Sequence, residues 1–451
     1  MPETSPMSLI RTLLFYGTFC FILNAGRLAA VDDYDQVPIN YSEAETNNPI
    51  SRLQGKIDSG EVKLDYDPTW GYLPAVLKEL NVSTKSQMLV FSKTSIQRHV
   101  ISPSTPRAVY FNDDNYVGFC QSGDVVEVST TDIGLGTVFY TMAQEKVEKP
   151  KFVRQGDNCL ICHSSSNTQN VPGHLVRSVF VDREGQPILA SGSFRIDQTS
   201  ALDRRWGGWY VSGTHGNVQH MGNLIVRSKE APEKVDRTSG QNVTDLNGLG
   251  TFATTAYLSP HSDLVALMVH EHQTQAHNFL TRANYETRMA HHYEAALNRD
   301  LGEDPEHRWE SAKSRIRSSG EALVRYLFFS GEPKLAAPVA GTSGFREEFE
   351  ARGPRDSQGR SLRDFDLRER LFKYPCSYLV YSDQFNELPD EMLQFVYRRM
   401  YDVLTGKDRS PEFAHLTEAD RKAILEILVG TKTNLPDYWK LPVASEQASS
   451  K

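Results

Sequence analysis

Apolar and polar positions along the chain follow two periods, and the place where one gives way to the other divides it. Residues 107–130, "RAVYFNDDNYVGFCQSGDVVEVST", are short β-branched and aromatic runs separated by turn residues, which predicts a β-meander. Residues 174–196, "HLVRSVFVDREGQPILASGSFRI", predict a second hairpin that turns at residues 182–185. Upstream, "PTWGYLPAVLKEL" puts Leu73, Val76, Leu77 and Leu80 on one helical face, with Pro74 in the first turn, where its missing N–H is tolerated. The segment before residue 59 is polar, and "INYSEAETNNPIS" reads as a surface arm.

Beyond residue 258 the period is helical. "HSDLVALMVHEHQTQAHNFLTRANYETRMAHHYEAAL" runs to Leu297 without Pro or Gly, and Ser262 or Asp263 stands where an N-cap is needed. "PEHRWESAKSRIRSSGEALVRYLFFS" predicts another helix or pair, residues 332–361 a long loop, and "PDEMLQFVYRRMYDVLTG" and "TEADRKAILEILVGT" further helices. The pattern predicts an α+β protein: a β-rich part over residues 31–258, a mainly helical part over 259–440, and a disordered tail over 441–451.

Residues 1–30 follow neither period. Arg11 precedes an apolar run over residues 13–23, and Ala29 and Ala30 come before an acidic start, the three-part form of a secretory signal peptide. The apolar core is shorter than the usual span of about 20 residues, although Arg27, between core and cut, leaves an uncleaved anchor as the alternative. Either way the body of the chain is expected to be exported, periplasmic or beyond, with no integral membrane span after signal cleavage. Removal of the signal leaves roughly 420 residues, enough for two or three domains of about 150 each. A composition of 39% hydrophobic and 24% charged residues is that of a globular chain, and a net charge of −8 argues against nucleic acid as a partner.

The candidate chemistry lies in "QGDNCLICHSSSN", residues 155–167, where Cys159, Cys162 and His163 form C-x-x-C-H. With 5 cysteines and 13 histidines in 451 residues, such a cluster is rare by chance. Two thiols separated by two residues on a helical turn can each form a thioether to a haem vinyl group, and the following imidazole is then carried under the ring as proximal iron ligand. A thioredoxin-like pair needs a strand feeding its C-x-x-C, and the polar "EKVEKPKFVRQGD" offers no apolar one. A zinc knuckle lacks a fourth ligand, and a plain disulfide has no use for His163. The expected cofactor is therefore one covalently attached haem c, its iron held by His163. Cys20 belongs to the signal; Cys120 and Cys376 are isolated, as a pair or as two buried thiols.

For the other face of the iron, Met221 in "THGNVQHMGNL" is the first candidate, with His220 and His215 as alternatives in the same loop. Met142, His174 or His277 are further possibilities, as is an iron with no second protein ligand. Trp206, Trp209 and Tyr210 suit packing over the haem edge, and Arg195, Arg204 or Arg205 suit its propionates. In "HEHQTQAH", His270 and His277 share a helical face while His272 points away. The metalloprotease pattern H-E-x-x-H fails at Thr274. A haem-facing or supporting histidine, a polar helix surface and a separate metal site all remain open for this run.

Residues 159–163 match c-type cytochromes. Beyond them, "SPSTPRAVYFNDDNYVGF", "RWGGWYVSGTHGNVQHMGN" and "KYPCSYLVYS" resemble large secreted mono-haem cytochrome c-like bacterial proteins of unassigned role. That resemblance implies haem binding, iron coordination and electron transfer with an unidentified redox partner protein, and it brings no established catalytic residues. A haem-dependent oxidoreductase of peroxidase-like type, or a haem-based sensor, is the alternative. The chain exceeds the roughly 100 residues of a bare carrier, which favours a substrate pocket, while its single motif disfavours a di-haem peroxidase. The motif also lies between β-rich segments, where small soluble cytochromes c have helices.

Overall fold

The computed structural model describes residues 33–227 and 234–440, so the expected signal segment and C-terminal tail lie outside the described residues. The α+β class holds. Seven antiparallel strands form one sheet: β1 (Met88–Val90), β2 (Arg107–Phe111), β3 (Asn115–Phe119), β4 (Val125–Asp132), β5 (Gly136–Ala143), β6 (Phe152–Gln155) and β9 (Trp209–Tyr210). Their spatial order is β6-β5-β4-β3-β2-β1-β9. Strands β7 (Arg177–Val179) and β8 (Ser193–Arg195) form the expected second hairpin, and Gly185 N–H donates to the Asp182 carbonyl at its turn.

The helices are α1 (Pro49–Ser59), α2 (Leu73–Glu79), α3 (Asp157–His163), α4 (Leu264–Leu301), α5 (Glu310–Leu327), α6 (Phe345–Ala351), α7 (Asp383–Asn386), α8 (Asp390–Leu404) and α9 (Glu418–Thr431). Successive strand residues point to opposite faces, and this alternation gives the sheet two cores. Leu89, Ala108, Tyr110, Val117 and Val126 pack with Ile50 and Leu53 of α1 and Val76 and Leu77 of α2. Met88, Val90, Val109 and Phe111 face the other way and join Leu264, Leu267 and Met268 of α4 in a core that continues into α5 and α8. The change near residue 258 is thus one of secondary structure, and the β-rich and helical parts share this second core.

α4 passes through the centre. Asp263, one of the two expected caps, accepts from Val265 N–H at 2.8 Å and Ala266 N–H at 3.0 Å. Gly302, at φ 71, ends the helix in the left-handed conformation that L side chains avoid. Every residue over 264–278 is buried, so the polar run "HEHQTQAH" is interior rather than helix surface.

Three local expectations are corrected. The segment taken as a surface arm is anchored: Ile39, Tyr41 and Asn48 are buried, and Tyr41 Oη–H donates to the Thr137 carbonyl at 2.8 Å. Asn48 and Ser51 form a capping box that starts α1, whose Ile50, Leu53 and Ile57 make one buried stripe. The loop over residues 332–361 contains α6, seated by buried Phe345 and Phe349. A strand does feed the cysteine motif: β6 continues into α3 across Gly156, as an antiparallel edge strand without the parallel crossover of a thioredoxin-like unit.

Candidate functional site

The face of the sheet that carries Val109 and Phe111 also carries Arg107, and the strand register extends this face sideways. Val109 lies opposite Gly118, Gly118 opposite Glu127, and Glu127 opposite Thr141. One register step along, Phe111, Tyr116, Ser129 and Phe139 are in line. Arg107 can cross β3 because residue 118 has no side chain; a Cβ there would stand 2.4 Å from Arg107 Nη2. The guanidinium thus reaches Glu127 on β4, with Nη2 at 2.6 Å from the carboxylate.

Over this face lies a cavity of about 590 Å³. The sheet is its floor, α3 one wall, and His270, Thr274 and Trp209 part of another. Cys159, Cys162 and His163 all line it, so the three sequence-predicted attachment residues come together on one short helix at one opening.

α3 is held by few contacts. Leu160 is its buried residue, packed into the core beneath the sheet, while Ile161 is 82% exposed. Neither cysteine is in a disulfide; Cys159 is half-buried and Cys162 exposed. Burial, aided by the Glu127 carboxylate, pushes the Cys159 thiol up to about 11. That is the reverse of an activated redox thiol, and it weighs against the thioredoxin-like alternative.

After α3 the chain doubles back. Ser165 and Thr168 form a capping box around a turn of 3₁₀ helix, and Thr168 Oγ1–H donates to the Val171 carbonyl at 2.9 Å. This return brings Gly173 to His163: Gly173 N–H donates to the His163 carbonyl at 2.8 Å, and His163 Nδ1–H donates to the Gly173 carbonyl at 2.9 Å. The proton is thereby placed on Nδ1. Burial lowers the His163 pKa, so the imidazole is neutral with its Nε2 lone pair free of any hydrogen bond among the described residues.

These residues fit a haem. Two free thiols and one free imidazole nitrogen converge on the cavity, and its rim exposes apolar Ile96, Ile161 and Leu189, surface that a flat apolar macrocycle covers. Lys93 and Arg98 also line it and make no ion pair among the described residues, which leaves them for carboxylates such as propionates. Among the described residues no group of three or more His, Cys, Asp or Glu is arranged to hold a bare metal ion.

Of the expected second iron ligands, His174 lines this cavity, with Nε2 at 2.9 Å from Ser129 Oγ and Nδ1 at 3.2 Å from Thr137 Oγ1, and the others do not. Met221 is 2% exposed in a separate small core with Phe180 and Val226, its sulfur accepting from Ser178 Oγ–H at 3.7 Å. His220 Nδ1 accepts from Gly222 N–H at 2.9 Å, His215 Nε2 accepts from Asn242 N–H at 2.9 Å, and the two rings pack tilted at 60° with centroids 4.7 Å apart. The loop "THGNVQHMGN" thus spends these side chains on its own packing. His277 is bonded through both nitrogens, to Gln384 and to the Asp113 carbonyl, and Met142 lies in the core on the other face of the sheet.

The expected propionate partners are also engaged elsewhere. Arg205 is buried in an ion pair with Glu271, Arg195 pairs with Asp197 at 3.3 Å, and Arg204 lies over the Phe194 ring. Of the aromatic trio Trp209 lines the cavity, its Nε1–H donating to the Arg177 carbonyl at 2.9 Å. Trp206 packs beside His220, and Tyr210 donates to the Pro103 carbonyl.

Sequence reasoning missed Arg107 and Glu127, although a signal was present: each is the lone charge in its β-run, "RAVYF" and "VVEVST", with the glycine of "YVGF" between them in the sheet. Comparison with protein-family models, curated proteins and solved structures returned no match, so the functional reading rests on these residues and their geometry.

Proposed function

We propose that this chain is an exported mono-haem c-type protein: one haem attached through Cys159 and Cys162, its iron held by His163, passing electrons to a redox partner protein. The observation that carries the reading is the convergence of both free thiols and the free His163 nitrogen on one cavity whose rim is apolar and basic. When bound, haem supplies reversible one-electron chemistry at its iron.

The protein's part is to hold and tune. The Gly173 carbonyl fixes the His163 tautomer and orientation and makes Nε2 a stronger donor, as an outer hydrogen-bond partner does for metal-bound histidines generally. Lys93 and Arg98 offer cations at the rim, while Arg107 is paired through Nη2 with Glu127 on the floor.

The test is to express the full chain with its leader under haem-maturation conditions and denature the product. Haem should stay on the polypeptide, and Cys159→Ala and Cys162→Ala should each reduce attachment. Release of all haem by acid–acetone sinks the reading.

A haem-dependent oxidoreductase or sensor is the second reading, and one observation favours it. Met221, His220 and His215 do not line the cavity, so none of the three would be a ligand to an iron held there by His163.

A further inference from the structure

Three histidines line the cavity, and two of them are tied down. His163 is held by Gly173, and His174 lies with Nε2 at 2.9 Å from Ser129 Oγ and Nδ1 at 3.2 Å from Thr137 Oγ1. His270 is the exception. It is 6% exposed on α4, packed among the rings of Phe111, Tyr116 and Trp209 at centroid distances of 5.4, 5.5 and 6.3 Å. Neither of its nitrogens makes a hydrogen bond among the described residues, and its Nδ1 is fully shielded.

Buried polar groups without partners are rare, and each one calls for an explanation. Several neighbouring interior groups of α4 are satisfied: His272 reaches Gln198 and Ser377, Gln273 donates to Tyr116 Oη and the Asn112 carbonyl, and Asn278 binds the His174 backbone, while one atom each of Glu271 and Gln275, Oε2 and Nε2, is left without a partner. Of the unpartnered polar groups of α4, His270 is the one that lines the cavity.

Arg107 is a second incomplete group on the same cavity. Its Nη2 binds Glu127, but its Nε is shielded and without a partner. Burial together with the Arg107 charge pulls His270 down to about 3, so its imidazole is a neutral base beside a fixed cation.

We propose that His270 and Arg107 form a receptor for a small weak acid, of the hydrogen cyanide or hydrogen peroxide class, that enters the cavity they line together with His163. The ligand's H–X bond breaks, its proton goes to the free His270 nitrogen, and the electron pair stays on the anion, which lies beside the Arg107 guanidinium and binds the metal. This deepens the haem reading and rests on it. It assigns to the cavity a ligand class and to His270 the role of a positioning base rather than an iron ligand.

The experiment uses the full-length protein with its haem attached, and cyanide as the probe. Cyanide association is followed by the shift of the Soret band in wild type, His270→Ala, His270→Gln and Arg107→Gln, with neutral imidazole as a ligand that binds through a lone pair without losing a proton. The ferric wild type should bind cyanide readily. Both His270 variants should slow cyanide association at least tenfold while imidazole association stays within twofold of wild type; Arg107→Gln should speed cyanide dissociation.

Unchanged cyanide kinetics in two correctly folded His270 variants overturn the inference and leave the haem reading standing. A six-coordinate wild type that opens only on His270→Ala overturns it as well, because His270 is then a ligand. A denatured chain that retains no haem overturns the haem reading, and this inference with it.

Discussion

His163 and Gly173 clasp each other by two hydrogen bonds, His163 Nδ1–H to the Gly173 carbonyl at 2.9 Å and Gly173 N–H to the His163 carbonyl at 2.8 Å. The clasp needs a glycine for a reason of space. A Cβ at 173 would stand 2.2 Å from Asn278 Oδ1, and Asn278 is itself held by the His174 backbone through N–H at 2.9 Å and carbonyl at 2.8 Å. Gly173→Ala should therefore displace the loop, lower stability by about 1–3 kcal/mol as overpacking does, and reduce haem attachment. Guanidinium unfolding and the haem content of the denatured chain check it; wild-type values in both count against the clasp.

Met221→Leu should leave the visible spectrum of the haem-loaded protein unchanged. Its side chain fills a small core with Phe180 and Val226 and is not part of the cavity lining. A volume-conserving exchange of this kind costs less than about 1.5 kcal/mol. Loss of a weak band near 700 nm, or a new ability to bind cyanide, would restore Met221 as the iron ligand.

Arg205 and Glu271 form an ion pair inside the helical core, with side chains 4% and 0% exposed. Burial pushes the Glu271 carboxyl up to about 8 even with Arg205 drawing it back. Removing one partner from such a pair costs about 3–5 kcal/mol, whereas removing both is often neutral. Arg205→Met alone should lower the unfolding free energy by about 3 kcal/mol, and the double change with Glu271→Met should recover most of it. A single variant as stable as wild type argues that the pair carries no stability.

His272 is buried with both nitrogens engaged, by Gln198 and by Ser377 Oγ, and burial lowers it from 6.5 to about 3. The unfolded chain takes up a proton at this residue before the folded one does. Its contribution is thus fully present above about pH 6.5 and is lost as pH falls toward about 3. Relative to His272→Gln, wild type should lose up to about 1.4 kcal/mol per pH unit in that window. Parallel stability curves for the two proteins would falsify the assignment.

The elements with strong periods were legible from sequence because their residues face one core each. The meander over β2 to β4, the hairpin of β7 and β8, and α4 with its Asp263 cap all follow from local pattern. What escaped was decided by tertiary contact. β6 is an edge strand of four residues with one buried side chain, too short to show alternation. α1 starts at Asn48 within a polar stretch whose burial depends on Tyr140 and Asp132 across the sheet. The attachment residues were legible because C-x-x-C-H is local. The rest of the cavity was not, because His270 on the wall and Arg107 on the floor are far apart in sequence and are brought to one cavity only by α4 and the sheet face.

α4 also fixes a length. His270 borders the cavity, and eight residues further along the same helix Asn278 grips the backbone at His174 beside Gly173. Eight residues of α-helix rise about 12 Å. The separation between the wall that holds His270 and the loop that steadies His163 is therefore ruled off by one rigid rod rather than by loops. Loop insertions elsewhere should leave that gauge intact, while one residue inserted between His270 and Asn278 turns one mark about 100° away from the other.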